Sequence, residues 1–481
     1  MVFDFGDVPN HPLLPYAPRA MHESITNMLS TYILSAPPVP INSTCEAPPN
    51  HTEVGDDDCT ANEKHSGLLS GKRLGRPRKI VDMIYFGYDL DIVEVRFHEL
   101  RHAVDWFIVG ESRLTSTGFT KPLMMTQAVQ DPEWFGDLRG RIVVIELPEL
   151  VMRTKYESND DCRTDEDCWA TQKWARDELM RRFLQLNKEQ GYKYVKQDED
   201  LIFASDPDEF PAGDVMKLVK HCEMAKPLEN TALVLMSWAG NLNIVMTRMM
   251  SLDIPHLPLA TAPRGTLIPY KTAKDFKSFF YRTKPPQKLY GGWHITDYNY
   301  IPFLFVKYTT FGEGNGQIFH PDSCLGDALF GDPLDKLPSD LHAELNTPLA
   351  NTTLPDLEPL YRADSWAAAE RSSWKTPAGL FNEMAARLVW AQRRMYSEGY
   401  TRKVKIFAKY MRKDELGEKY KQVKLRELPW FVRCNPHRFP VLLGNADPRY
   451  FQEDRGHIFR QGEAVQVDTM GAWKNIISWD K

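Results

Sequence analysis

The feature that most constrains this chain is an alternation of strand-like and helix-like patterns beginning at residue 80. Ile80-Val-Asp-Met-Ile-Tyr-Phe86 has strand composition and runs into a turn at Gly87-Tyr-Asp89. Leu90, Val93, Phe97, Leu100 and Val104 then recur at helical spacing, which gives an amphipathic helix one apolar face to lay on a sheet. Trp106-Phe-Ile-Val109 follows as a second strand. A strand, a helix and a strand in that order open a parallel sheet, because a parallel partner is reached only through a crossover.

The alternation continues. Ile142-Val-Val-Ile-Glu-Leu147 predicts a third strand, and Ala175, Leu179, Phe183 and Leu186 mark the buried side of a long helix. Val215, Leu218, Val219 and Cys222 mark another helix, and Ala232-Leu-Val-Leu-Met236 another strand. The expected fold is α/β, a mostly parallel sheet flanked by helices. From Thr247 to Asn299 the pattern weakens into Pro-rich and aromatic segments, expected to shape a substrate site and not to extend the sheet. Phe381, Met384, Leu388, Ala391 and Met395 define a late helix, and the basic segment Arg402 to Arg426 reads as a solvated helix face.

The flanks read differently. Residues 1–79 are rich in Pro, Asn, Ser and Thr and are expected to form a low-complexity or disordered leader; residues 446–481 are a C-terminal extension. The basic stretch Lys72-Arg73-Leu-Gly-Arg76-Pro-Arg78-Lys79 reads as the solvated boundary of the folded part more readily than as a localisation signal.

Net charge of -6 on 481 residues excludes a general attraction for nucleic acid. No apolar run approaches the ~20 residues of a spanning helix, and no secretory signal is visible at the start. The seven cysteines form no CxxC, which argues against a structural zinc site, while Cys162 and Cys168 are spaced closely enough to bridge. Asn42, Asn50 and Asn351 open glycosylation triplets that matter only on the secretory route.

Chemistry concentrates at Leu201-Ile-Phe-Ala-Ser-Asp206-Pro-Asp208-Glu209-Phe-Pro211, where an apolar run breaks into three carboxylates. Acids at the carboxyl end of a strand enter the crevice where open α/β sheets place ligands. Asp206 and Asp208 have the chemistry of ligands for Mn²⁺ or Mg²⁺, hard cations that take oxygen donors and leave positions for a diphosphate. A solvated acidic turn is the bland alternative, and a DxD pattern alone favours it. A phosphohydrolase with an aspartate nucleophile is a weaker rival, since Phe210 stands where that motif expects Thr or Val.

Several separated segments together resemble glycosyltransferase family 17, which includes the enzyme that adds bisecting N-acetylglucosamine to N-glycans. They are Asp89 to Leu123 (DLDIVEVRFHELRHAVDWFIVGESRLTSTGFTKPL), WARDELMRR (Trp174 to Arg182), SDPDEFP (Ser205 to Pro211), GGWH (Gly291 to His294), Lys307 to Asn315, and LPWFVRCNPHRF (Leu428 to Phe439). Their order and spacing over residues 80–445 make the set specific.

The resemblance implies a GT-A-like single Rossmann-type domain over 80–445, a UDP-N-acetylglucosamine donor, a glycan or glycoprotein acceptor and inversion at the anomeric carbon. It also implies a Golgi enzyme and membrane association, although no transmembrane segment is seen. Transfer leaves new negative charge on the diphosphate, which a divalent metal at Asp206 and Asp208 would stabilise.

Glu111 ends the second strand, where related sheets meet ribose or base, or else it caps the next turn. Lys121, Arg176 and Arg181 are candidates for the diphosphate, with surface ion pairing as the alternative. Arg176 and Arg181 lie five apart, about 500° around a helix, so they do not share a face. The base for the acceptor hydroxyl is sought downstream of Gly291, among Asp297, Glu313 and His294, while Glu209 is expected to orient water or acceptor. His294 reads as a packed histidine beside Trp293. After GGWH the chain departs from the family with Ile295-Thr-Asp-Tyr-Asn299, which bears on the acceptor more than the donor. The rival class is a catalytically silent glycan- or nucleotide-sugar-binding protein that keeps the fold.

Overall fold

The computed structural model describes residues 69–114, 121–148, 165–227, 229–239, 244–248, 261–275, 287–296, 409–412 and 428–436, the pair 59–60, and parts of 40–48 and 438–442. The described strands are Leu69–Arg73 (β1), Ile80–Tyr85 (β2), Trp106–Glu111 (β3), Ile142–Glu146 (β4), Leu201–Ser205 (β5), Glu209–Pro211 (β6), Cys222–Met224 (β7), Thr231–Ala239 (β8), Ile244–Arg248 (β9), Thr261–Pro269 (β10), Gln287–Thr296 (β11) and Lys409–Arg412 (β12). The described α-helices are Leu90–Leu100 (α1), Met124–Gln130 (α2), Asp165–Glu189 (α3), Gly213–His221 (α4), Tyr270–Ala273 (α5) and Trp430–Cys434 (α6). The late helix, the extension and the Cys162–Cys168 pairing lie outside the described residues.

One sheet runs β12-β9-β8-β10-β5-β2-β3-β4, with β11 pairing both β6 and β8. The expectation of a mostly parallel sheet holds for one half and is corrected for the other. β4, β3, β2 and β5 are parallel to one another. β10 runs antiparallel to β5 and β8, and β9 antiparallel to β8 and β12. The sheet is therefore mixed. The segment read as substrate-shaping supplies β10 and β11, and β10 sits in the middle of the sheet. Its composition misled because Pro263 lacks a ladder donor, yet it lies where the β10–β8 register shifts, the kind of irregularity that tolerates proline. Gly265 in the same shift has φ +73, and a Cβ there would stand 2.7 Å from Ser205 Cβ. The basic segment likewise contains a strand, β12, where a helix face was expected.

Strand pleating sorts β2 between two helices. Val81 and Met83 join Ala175, Leu179, Met180 and Phe183 of α3 in one core cluster, with Tyr85 packed on its margin. The expected buried side of α3 is as read, Leu186 being half-buried. Asp82 points the other way, towards α1, where every one of the 11 residues is buried. Unpaired charge in such a place is costly, so each ionised group needs a partner. Arg96 takes Asp82 and Glu94 takes Arg438. Glu99 accepts the backbone N–H of Gly213 at 3.0 Å and of Trp430 at 3.0 Å. His98 stacks on Phe431, centroids 3.8 Å apart. The block LPWFVRCNPHRF is thus an anchor for α1.

Part of the expected leader is folded. β1 pairs antiparallel with β7, and Cys59 is bonded to Cys222 across 163 residues of sequence. Arg78 is buried and donates to the carbonyls of Val219 at 2.6 Å and Cys222 at 2.8 Å, at the end of α4. Arg76 pairs with Asp200 and Lys79 Nζ donates to Lys193 O. Arg78 is therefore a structural residue, while Lys72, Arg73 and Arg76 are exposed, as expected of a solvated boundary.

Candidate active site

β5 ends at Ser205 and the chain turns at once: Glu209 N donates to Asp206 O at 3.0 Å, and β6 begins. β6 is laddered on β11 with Gly292 opposite Pro211, Trp293 opposite Phe210 and His294 opposite Glu209. Ile295 N donates to Asp208 O at 2.9 Å. The acidic turn and GGWH are thus two sides of one structure. Gly292, at φ +137, is required there, since a Cβ would lie 2.3 Å from Phe210 O.

The expected site residues divide. Arg176 of α3 reaches Asp206 and ion-pairs with it, and the same guanidinium donates to Gln172 Oε1 at 3.3 Å. Arg181 does not join them: it is exposed and pairs with Glu178 on its own helix. Burial alone would raise the Glu178 carboxyl, but bonds from Arg181 and Arg182 overcome it and hold the group below its ordinary range. Five residues of helical rotation separate the two arginines as expected.

Glu111 is fully buried at the carboxyl end of β3, next to β2. Its carboxylate accepts N–H of Met125 at 2.7 Å, N–H of Thr126 at 2.9 Å and the Thr126 hydroxyl at 2.9 Å, capping α2 from outside the helix. Lys121 Nζ lies 3.7 Å from Glu111, within ion-pair range but beyond a hydrogen bond. Burial lowers the Lys121 pKa and Glu111 opposes the fall. Burial raises the Tyr85 hydroxyl; Arg176 opposes that rise and Glu111 adds to it, which places Tyr85 in the field of both.

Among the described residues, Lys121 Nζ and Gln172 Nε2 are buried donors with no hydrogen-bond acceptor. Leaving such groups unmade costs about 1–3 kcal/mol each. On the other flank, His294 Nε2 is 4.0 Å from Asp208 Oδ2 and its Nδ1 is 3.3 Å from Ser237 Oγ. His294 is buried beside Trp293, as read from the sequence.

The Asp206 and Asp208 side chains are 17% and 18% exposed, and among the described residues no group of three His, Cys, Asp or Glu gathers to form a closed metal cage. Mg²⁺-like ions are held by one or two carboxylates, with water and substrate phosphates completing the shell. Glu209 is fully buried, its Oε2 3.4 Å from Asp206 N. Asp297 and Glu313 lie outside the described residues.

Sequence reasoning missed Arg96, Gln172, Tyr85 and Ser237. An aspartate inside an apolar strand, Asp82, and an arginine inside an apolar helix, Arg96, were the signal for the first of these. Nothing local marked the other three.

Taken together, these features define an α/β protein with charged and polar side chains gathered near the carboxyl ends of β2, β3 and β5. Residues 38–234 match the model of Glycosyltransferase family 17. Over 144 residues the chain is 26% identical to the β-1,4-mannosyl-glycoprotein 4-β-N-acetylglucosaminyltransferase of Rattus norvegicus and to that of Homo sapiens, and 25% to that of Mus musculus. The match takes in 30% of this chain and spans 24% of the length of each curated relative. No solved structure matches the chain.

Proposed function

We propose that the chain is an inverting, metal-dependent glycosyltransferase that moves N-acetylglucosamine from UDP-N-acetylglucosamine to a mannose of an N-glycan in β-1,4 linkage. The observation that carries this reading is the convergence, at one set of strand ends, of Asp206 and Asp208 with buried donors that lack acceptors. Lys121 and Gln172 supply hydrogen bonds to the diphosphate, and Arg176, held on Asp206, supplies charge. Glu111 sets the end of β3 and the start of α2 that wall the nucleotide pocket. Arg181, exposed on α3, is left to the rim of the crevice. A divalent cation held by Asp206 and Asp208 would offset the charge that develops on the leaving diphosphate.

In the displacement the acceptor hydroxyl oxygen bonds to the anomeric carbon while the bond from that carbon to the phosphate oxygen breaks, and UDP departs. The hydroxyl proton passes to a carboxylate within hydrogen-bond reach. Glu209 belongs to the acidic turn, and Asp297 directly follows β11, which is laddered on that turn. Glu313 stands in the later family-like block.

The names of the relatives support the sugar and the acceptor, and the family match supports the reaction class. Among the described residues no helix is long and apolar enough to cross a membrane. The Cys59–Cys222 bond and a second disulfide at Cys434 support an oxidising compartment such as the Golgi lumen. The test is titration of the full chain with UDP-N-acetylglucosamine, with and without Mn²⁺, followed by turnover on mannose-terminated N-glycans. Saturable, Mn²⁺-dependent binding and a new β-1,4 linkage are expected. Binding without turnover would leave the silent-protein reading, and no binding would end the proposal.

A further inference from the structure

We propose that Arg96 of α1 is the positioning residue of the acidic turn and sets its affinity for the cation and diphosphate. The inference rests on the glycosyltransferase reading above.

Arg96 is fully buried beneath the turn, its guanidinium 5.0 Å from the Phe203 ring centroid. Asp82 of β2 fixes one side of it, accepting from Nε at 2.8 Å and from Nη2 at 2.5 Å. The other side faces the turn. Nη1 donates to Asp206 O at 2.7 Å, Glu209 O at 3.0 Å and, more distantly, Pro207 O at 3.4 Å. Nη2 donates to Ser205 Oγ at 2.9 Å, and that hydroxyl donates onward to Glu209 O at 2.7 Å. One planar cation thus gathers the carbonyls of three of the turn's four residues.

The consequence is geometric and electrostatic. With the carbonyls of Asp206, Pro207 and Glu209 drawn inward to Arg96, the turn is held with the Asp206 and Asp208 side chains on its partly exposed side. The buried charge also offsets the concentration of carboxylates above it, which would otherwise repel one another in a low-dielectric site. Lysine would keep the charge but not the fork, because a single ammonium cannot reach Asp82 and two carbonyls in the same plane. Partners behind the ligating groups commonly change metal affinity by about 10- to 100-fold when altered.

The experiment measures UDP binding by calorimetry over a Mn²⁺ series, and UDP-N-acetylglucosamine KM and kcat over the same series. It compares the full-length protein with Arg96→Lys, Ser205→Ala and Arg438→Lys. Arg438→Lys weakens the other buried arginine pair on α1, with Glu94, and the bond to Glu133 O. The expected result is a rise of about ten-fold or more in the UDP Kd and the Mn²⁺ requirement for Arg96→Lys. Ser205→Ala should move both in the same direction by a smaller factor, and Arg438→Lys should lower the melting temperature alone.

If Arg96→Lys does not fold, Ser205→Ala alone decides. Unchanged affinity in every folded variant of the pair, or an equal loss in Arg438→Lys, would overturn the positioning role. Failure of the unaltered protein to bind UDP would instead overturn the function on which the role rests.

Discussion

Two arginines are buried against α1, and they do different things with the same chemistry. Arg438 gives two hydrogen bonds to Glu94, each 2.7 Å, and one to Glu133 O at 2.9 Å, and so staples the C-terminal segment to the helix. Arg96 also holds a carboxylate in two bonds, but its remaining N–H groups go to the carbonyls of the acidic turn. A buried ion pair is weak evidence of stability in itself, because desolvation of both ions offsets much of their attraction. What separates the two is where the surplus donors point. One set ties down the C-terminal segment and the other holds the acidic turn.

Breaking either pair from one side should have the largest effect. Arg96→Ala leaves Asp82 buried and uncompensated, and Arg438→Ala does the same to Glu94; each is expected to cost about 3–5 kcal/mol in denaturant unfolding. A loss below about 1 kcal/mol for Arg438→Ala, with a full loss for Arg96→Ala, would show that the C-terminal staple is dispensable. Gly292→Ala attacks the turn from its far side, where a Cβ would meet Phe210 O at 2.3 Å and Pro211 Cα at 2.6 Å. A loss of roughly 1–3 kcal/mol, read by thermal melting, is expected from overpacking and backbone strain.

The staple should also respond to acid. His98 lies between Phe431 and the field of Arg101, Arg438 and Arg141, and burial followed by those charges lowers its pKa well below 6.5. The unfolded chain therefore takes up a proton that the folded chain resists. Stability is fully present above pH 6.5 and declines as pH falls below it, by up to about 1.4 kcal/mol per unit from this group. Melting curves of His98→Phe should fall less steeply between pH 6.5 and 5 than those of the unaltered protein; parallel curves would remove His98 from the explanation. The smallest effect is expected at Glu111→Gln, which keeps the shape but discharges the cap of α2. About 1 kcal/mol should be lost, and any larger change in UDP binding would assign Glu111 a direct role in the pocket.

The legible part of this protein was the part whose signals are local. The β2–α1–β3 opening, the buried stripe of α3 and the acidic turn after β5 all follow from spacing along the chain, because helix and strand periods are written in neighbouring residues. Arg176 and Arg181 were separable on helical rotation alone, although only the fold showed which of them faces Asp206. β10, β11 and β12 were not legible as strands. Their ladders are made with partners far along the chain, and Pro263, Gly265 and Gly292 suit register shifts and close approaches that exist only once those partners are in place.

Sequence by itself determined the α/β class, the position of the carboxylate turn and the family resemblance, because these depend on residue type and order. Tertiary structure decided the rest: that the sheet is mixed, that GGWH ladders onto DEFP, that Arg78 of the basic stretch is buried against the end of α4, and that Asp82 and Arg96 answer each other. A charge in a strand reads as an exception until its counter-charge is brought to within 3 Å of it from another element. Only folding makes that proximity, and only that proximity makes either burial tolerable.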